Sequence, residues 1–100
     1  MRPKALITGA STGIGKVYAQ RLAGRYDLVL VARDKARLDA LAQELRKDGA
    51  ASEVLVADLT QSADVARVEA KLEVDAEIAF FLNNAGIDRA VEGIRMRTVA

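Results

Sequence analysis

Along the chain, apolar runs too short and too continuous for surface helices alternate with segments whose apolar residues recur every three or four positions. Ala5-Leu6-Ile7 reads as a buried strand of about residues 4 to 8, and Ile14, Val17, Tyr18 and Leu22 then recur at helical spacing, predicting a helix from about Gly13 to Ala23. Gly24 is placed to end that helix in the left-handed conformation, and Asp27 to turn the chain. Leu28-Val29-Leu30-Val31-Ala32 is apolar throughout, as expected of a strand covered on both faces. Asp34 is a helix cap, Leu38, Leu41, Ala42 and Leu45 form one stripe, and Gly49 closes the second helix. A third strand is predicted over residues 52 to 57. Val65, Val68 and Leu72 mark a third helix capped by Thr60 or Ser62, and a fourth strand spans about residues 77 to 83 with Phe80 and Phe81 in the core.

This alternation, joined by short loops, predicts right-handed crossovers and a parallel sheet with helices on both faces. The expected fold is a Rossmann-like three-layer α/β/α domain with four strands in the order 3-2-1-4. No repeat, low-complexity tract or linker interrupts residues 4 to 86, so residues 1 to 100 read as one domain. In the tail, Ile87, Val91, Ile94 and Thr98 share one helical face and predict a weakly marked terminal helix. With that order, strand 4 is an edge strand whose Ile78, Phe80 and Leu82 would favour self-association.

Between the first strand and first helix lies Thr8-Gly9-Ala10-Ser11-Thr12-Gly13-Ile14-Gly15. A glycine turn there is an anion site, because the first-turn N–H groups lack partners in the helix and the dipole adds about half a positive charge. Two phosphate loops compete for this pattern. The mononucleotide loop fails, since Ala10 stands where its first glycine belongs and Val17 where a magnesium-binding hydroxyl is needed. The dinucleotide turn fits as a GxxxGxG variant formed by Gly9, Gly13 and Gly15.

Two further segments make the pattern specific. Asn83-Asn84-Ala85-Gly86 follows the fourth apolar run, and Asp58 follows the third. Together with Thr8, Gly9, Gly13 and Gly15 these resemble the TGxxxGxG, Asp and Asn-Asn-Ala-Gly motifs of the short-chain dehydrogenase/reductase family, over about residues 4 to 87. The resemblance implies a dinucleotide in the crevice beyond the strand ends, with Gly9, Ser11, Thr12, Gly13, Ile14 and Gly15 around the pyrophosphate. It implies further that Asp58 accepts a hydrogen bond from the adenine amino group beside the Leu59 amide. Asn84 steadies the pocket, while Ala85 and Gly86 leave room for a ribose. Asp58 is also a residue type that builds turns or caps helices, a reading secondary to the adenine one, and Ser11 or Thr12 could equally serve as a simple cap.

The residue closing the second strand distinguishes the cofactors. NAD sites place a carboxylate there, whereas Arg33 occupies it here, 18 residues beyond Gly15, and its planar fork suits a 2′-phosphate. NADP(H) is therefore expected in preference to NAD(H). Lys35 reads instead as a partner of Asp39 four residues on.

Catalysis in the family uses a Tyr-x-x-x-Lys pair in which lysine lowers the tyrosine pKa. Tyr18 is followed at that spacing by Leu22, and Tyr26 by Leu30. No catalytic residue is assigned. The expected function is the cofactor-binding half of an NADP(H)-dependent short-chain oxidoreductase, truncated relative to the family and inactive alone, the alternative being a non-catalytic nucleotide-binding module or inactive remnant. Composition narrows the remainder. The absence of cysteine and histidine removes disulfides, thiol nucleophiles and imidazole relays and leaves no expected metal site, while a net charge of +1 gives no basis for nucleic-acid or membrane attraction. A cytoplasmic location is expected.

Overall fold

The computed structural model describes residues 3–83. Their elements run β1 (Lys4–Thr8), α1 (Gly13–Leu22), β2 (Asp27–Ala32), α2 (Lys35–Lys47), β3 (Ser52–Val56), α3 (Ser62–Val74) and β4 (Ile78–Asn83). All strand pairs are parallel and the sheet order is β3-β2-β1-β4, as the alternation predicts. One sheet face buries Ala5, Ile7, Leu28 and Leu30 against Leu38, Leu41 and Leu45 of α2, and against Ala19 of α1. The other buries Leu6, Val29 and Val31 against Val68 and Leu72 of α3. The continuous apolar runs of β1 and β2 follow from this coverage, since consecutive residues face opposite layers.

Local chemistry sets the helix boundaries, in places differently from the sequence expectation. Asp34 caps α2 by accepting the Arg37 N–H at 3.1 Å, and Gly49, at φ +89°, ends the helix in the left-handed region. Gly24 does not do the same for α1. Positive φ occurs among the described residues only at Gly9, Gly13 and Gly49, and α1 stops at Leu22, whose carbonyl accepts the N–H groups of Gly24, Arg25 and Tyr26. Neither Thr60 nor Ser62 caps α3. Gln61 occupies that position because its N–H closes a tight turn onto the Asp58 carbonyl at 2.9 Å, while Thr60 is turned back to Asp58.

Two packing expectations change as well. In the predicted stripe of α1, Ile14 and Val17 are 64% and 45% exposed, whereas Gly15 and Ala19 are the buried residues. The helix approaches the sheet through its smallest side chains, which a search for large apolar residues passes over. In β4 a register shift opposite Lys4/Ala5 moves Ile78 out of phase, so it packs toward the α3 layer while Phe80 and Leu82 face α1 and α2. The three residues therefore do not form one apolar face. Phe81 is buried as expected, and Phe80 is half-buried, tilted against Tyr26 at a ring separation of 5.6 Å.

Candidate cofactor site

Parallel strands deliver their following loops to one edge of the sheet. After β1 comes the glycine turn, whose path requires φ +64° at Gly9 and +58° at Gly13, a region where a Cβ costs about 1–2 kcal/mol. Thr8, fully buried, donates its hydroxyl to the Leu82 carbonyl at 3.5 Å and so braces the turn against β4. The Ala10 N–H donates to Val31 O at 3.2 Å, which fastens the turn to the end of β2. Thr12 is the extended residue at the N-cap of α1, and its carbonyl accepts the Lys16 N–H at 3.4 Å. The N–H groups of Gly13, Ile14 and Gly15 precede that first intrahelical bond, and those of the exposed Gly13 and Ile14 are available to an anion.

These loops enclose an open cavity of about 590 Å³ over the carboxyl ends of β1, β2 and β3. Gly9, Ser11 and Thr12 form one wall, Ala32 to Asp34 with Arg37 the second, and Ala57 to Thr60 the third. Arg33 makes no hydrogen bond or ion pair among the described residues, so its guanidinium is uncommitted where it lines the cavity. Lys35 differs, because its ammonium pairs with Asp39 at 2.7 Å, as the helical spacing implies. Arg37 lies 3.3 Å from Asp34 and brings a second cation to the cavity, a contribution its place within α2 does not single out.

Asp58 combines the structural role and the candidate functional one. Its Oδ1 accepts the Thr60 N–H at 3.0 Å and the Thr60 hydroxyl at 2.7 Å, forming an Asx turn. The Thr60 hydroxyl bond holds its carboxyl below the ordinary 3.8, helped by the Thr60 N–H and by nearby Arg33, so the group is an anion at neutral pH. Thr60 also lines the cavity, a place that the strand-end pattern does not mark. The signal lies in the Asp-x-Thr spacing of a turn.

The structure thus gathers Gly9, Ser11, Thr12, Arg33, Asp58 and Leu59 around one cavity. Gly13 adjoins it at the head of α1, Ile14 faces outward in a shallow groove with Val17 and Tyr18, and Gly15 is a buried residue of α1. Asn84, Ala85 and Gly86 lie outside the described residues.

The model of the short chain dehydrogenase family matches residues 3–99. The chain belongs to that family. A short-chain dehydrogenase from Sphingobium yanoikuyae in complex with NADPH superposes with a TM-score of 0.82 at 62% identity, covering 84% of this chain and 34% of that one. The bulky-bulky ketone specific alcohol dehydrogenase from Comamonas testosteroni gives a TM-score of 0.82 at 50% identity, covering 89% and 38%. A very-long-chain 3-oxoacyl-CoA reductase of Podospora anserina is 40% identical over 92 residues, 87% of this chain. This short-chain dehydrogenase chain spans 27% of that relative's length.

Proposed function

We propose that the chain forms the NADP(H)-binding portion of a short-chain oxidoreductase that moves hydride between a nicotinamide cofactor and a carbonyl or alcohol substrate. The observation that carries the cofactor choice is Arg33, an uncommitted guanidinium at the end of β2 inside the cavity. A cation at that point suits the 2′-phosphate of NADP(H), and a neighbour 62% identical to this chain is described in complex with NADPH. The donor set agrees with such a ligand. Gly9, Ser11, Thr12, Gly13, Ile14 and Gly15 surround the pyrophosphate, with hydroxyls from Ser11 and Thr12 and first-turn N–H groups of α1 as donors, while Arg33 and Arg37 supply positive charge. Asp58 and the Leu59 amide face the adenine, and the family resemblance gives Asn84 the part of steadying the pocket and Ala85 and Gly86 that of leaving room for a ribose. The bound cofactor supplies the hydride chemistry, and these residues bind and orient it.

The chain by itself is expected to be silent in turnover with carbonyl substrates, because neither Tyr18 nor Tyr26 has a lysine four residues on. Calorimetric titration of NADPH and NADH against the parent and Arg33→Ala tests the cofactor assignment. A charge-assisted bond to phosphate predicts that the substitution costs NADPH about tenfold or more in affinity and NADH little. Equal affinities for the two cofactors in the parent protein would refute the preference.

A further inference from the structure

Among the described residues β3 is an edge strand, paired with β2 alone. The bonds from Leu28 N–H to Ala51 O and from Ala57 N–H to Ala32 O direct the odd-numbered residues of this segment toward β2. The backbone groups of Ser52, Val54, Val56 and then Asp58 consequently point away from the sheet. Near the cavity, α3 supplies partners for two of these outward groups. Asp64 Oδ2 accepts the Asp58 N–H at 2.7 Å, and Arg67 Nη1 donates to the Val56 carbonyl at 3.1 Å. Asp64 and Arg67 also pair with each other at 3.3 Å. One acceptor and one donor, a helical turn apart, thus take the place that an adjoining strand would fill.

The consequence falls on Asp58. Its N–H is held by Asp64, its carbonyl by the Gln61 N–H at 2.9 Å, and its Oδ1 by Thr60. Only Oδ2 is left without a partner among the described residues. We propose that Asp64, locked by Arg67, is a positioning residue that aims the free oxygen of Asp58 at a 6-amino purine and so sets the base selectivity of the cavity. This rests on the adenine role assigned to Asp58 above. Arg46 provides a built-in control, because it donates to the outward Ser52 carbonyl at 2.5 Å at the opposite end of β3, away from the cavity.

Two measurements on the full chain test this. The first is amide hydrogen exchange without ligand, in the parent, Asp64→Ala, Asp64→Asn and Arg46→Ala. The Asp58 amide should exchange at least about tenfold faster in Asp64→Ala alone, the Ala57 amide staying protected in all four; an unchanged Asp58 rate overturns the proposal. The second is titration of NADPH and its 6-oxo (hypoxanthine) analogue. The parent should prefer the amino base about tenfold, as expected for losing a bond to a carboxylate. That ratio should fall below about twofold in Asp64→Ala and persist in Asp64→Asn, which keeps an acceptor oxygen, and in Arg46→Ala, which only weakens the strand. A parental ratio retained in Asp64→Ala overturns the proposal. A parent without preference removes both the selectivity and the adenine role of Asp58, whereas the exchange result stands independently of any ligand.

Discussion

Gly13 illustrates how one residue couples backbone geometry to ligand binding. Its φ of +58° belongs to the left-handed region, yet a Cβ built there meets nothing within 4 Å. The glycine is thus needed for its torsion and not to relieve a contact within the protein. Gly13→Ala should therefore fold, with a loss of about 1–2 kcal/mol in urea denaturation that reflects strain alone. Gly13→Asn should lose less, because asparagine tolerates this region better than alanine. With the pyrophosphate placed as proposed, cofactor affinity should fall further than stability in both variants, because the added side chain occupies the open space above the turn. Equal stability of the alanine variant and the parent would show that the turn relaxes out of the left-handed region. Arg33 and Asp58 belong to the same scale. Their places at the cavity were legible in the sequence because each directly follows an apolar run, and parallel strands carry such positions to a common edge.

Among the elements, α1 departs most from its sequence pattern. Periodicity located the helix but selected Ile14 and Val17 as its buried face, because large apolar residues dominate any hydrophobic count. The sheet instead receives Gly15 and Ala19, with Tyr18 and Leu22 half-buried beside them. Close approach between helix and strands selects small side chains, and that requirement is invisible to hydropathy. Ala19→Leu should accordingly overpack the layer and cost about 1–3 kcal/mol. Val17→Ala should stay within about 0.5 kcal/mol of the parent, the usual range for exposed sites. Urea denaturation of the two variants decides the matter, and the reverse ranking would restore the stripe as the docking face. The β4 bulge was likewise hidden, since a one-residue slip changes the face but not the composition of a strand. The ends of α1 and α3 were misplaced because backbone carbonyls and the Asp58 turn terminate them, where the sequence pointed to a glycine and to hydroxyl caps.

At the scale of the whole molecule, the two long edges of the sheet are treated differently. β3 has arginines on its outward Ser52 and Val56 carbonyls, whereas β4 pairs only with β1 among the described residues. As an edge among the described residues, beside half-buried Phe80, β4 favours association. We expect light scattering coupled to size-exclusion chromatography to give a mass above that of the monomer at high concentration, and a clean monomer there would remove the expectation.

The end of the sheet opposite the cavity is tied by charge. Lys4 at the start of β1 bonds Asp75 at the end of α3 at 2.8 Å, and Lys71 reaches both Asp75, at 3.3 Å, and Glu53 of β3, at 2.7 Å. The Lys4 bond holds the Asp75 carboxyl below its ordinary 3.8, while Asp75 raises the Lys4 ammonium, and Glu53 the Lys71 ammonium, above 10.5. A lowered carboxyl stabilises the fold above its unfolded value and ceases to do so as pH falls through the folded one. A raised lysine acts below 10.5 and loses its effect as pH rises through its folded value. The network is thus in full force from about pH 5 to pH 10 and weakens at both ends. Asp75→Asn keeps an oxygen for the Glu77 N–H, which Asp75 accepts at 3.1 Å, but removes the charge. It should cost about 1 kcal/mol at pH 7, the upper end for partly exposed pairs. Urea midpoints of parent and variant should then converge as the pH falls below 3.8 toward the acid limit of folding, through the lowered value of the parent carboxyl. An offset that stays constant from pH 7 to that limit would mean that Asp75 stabilises the fold through packing and hydrogen bonding alone, independently of its charge.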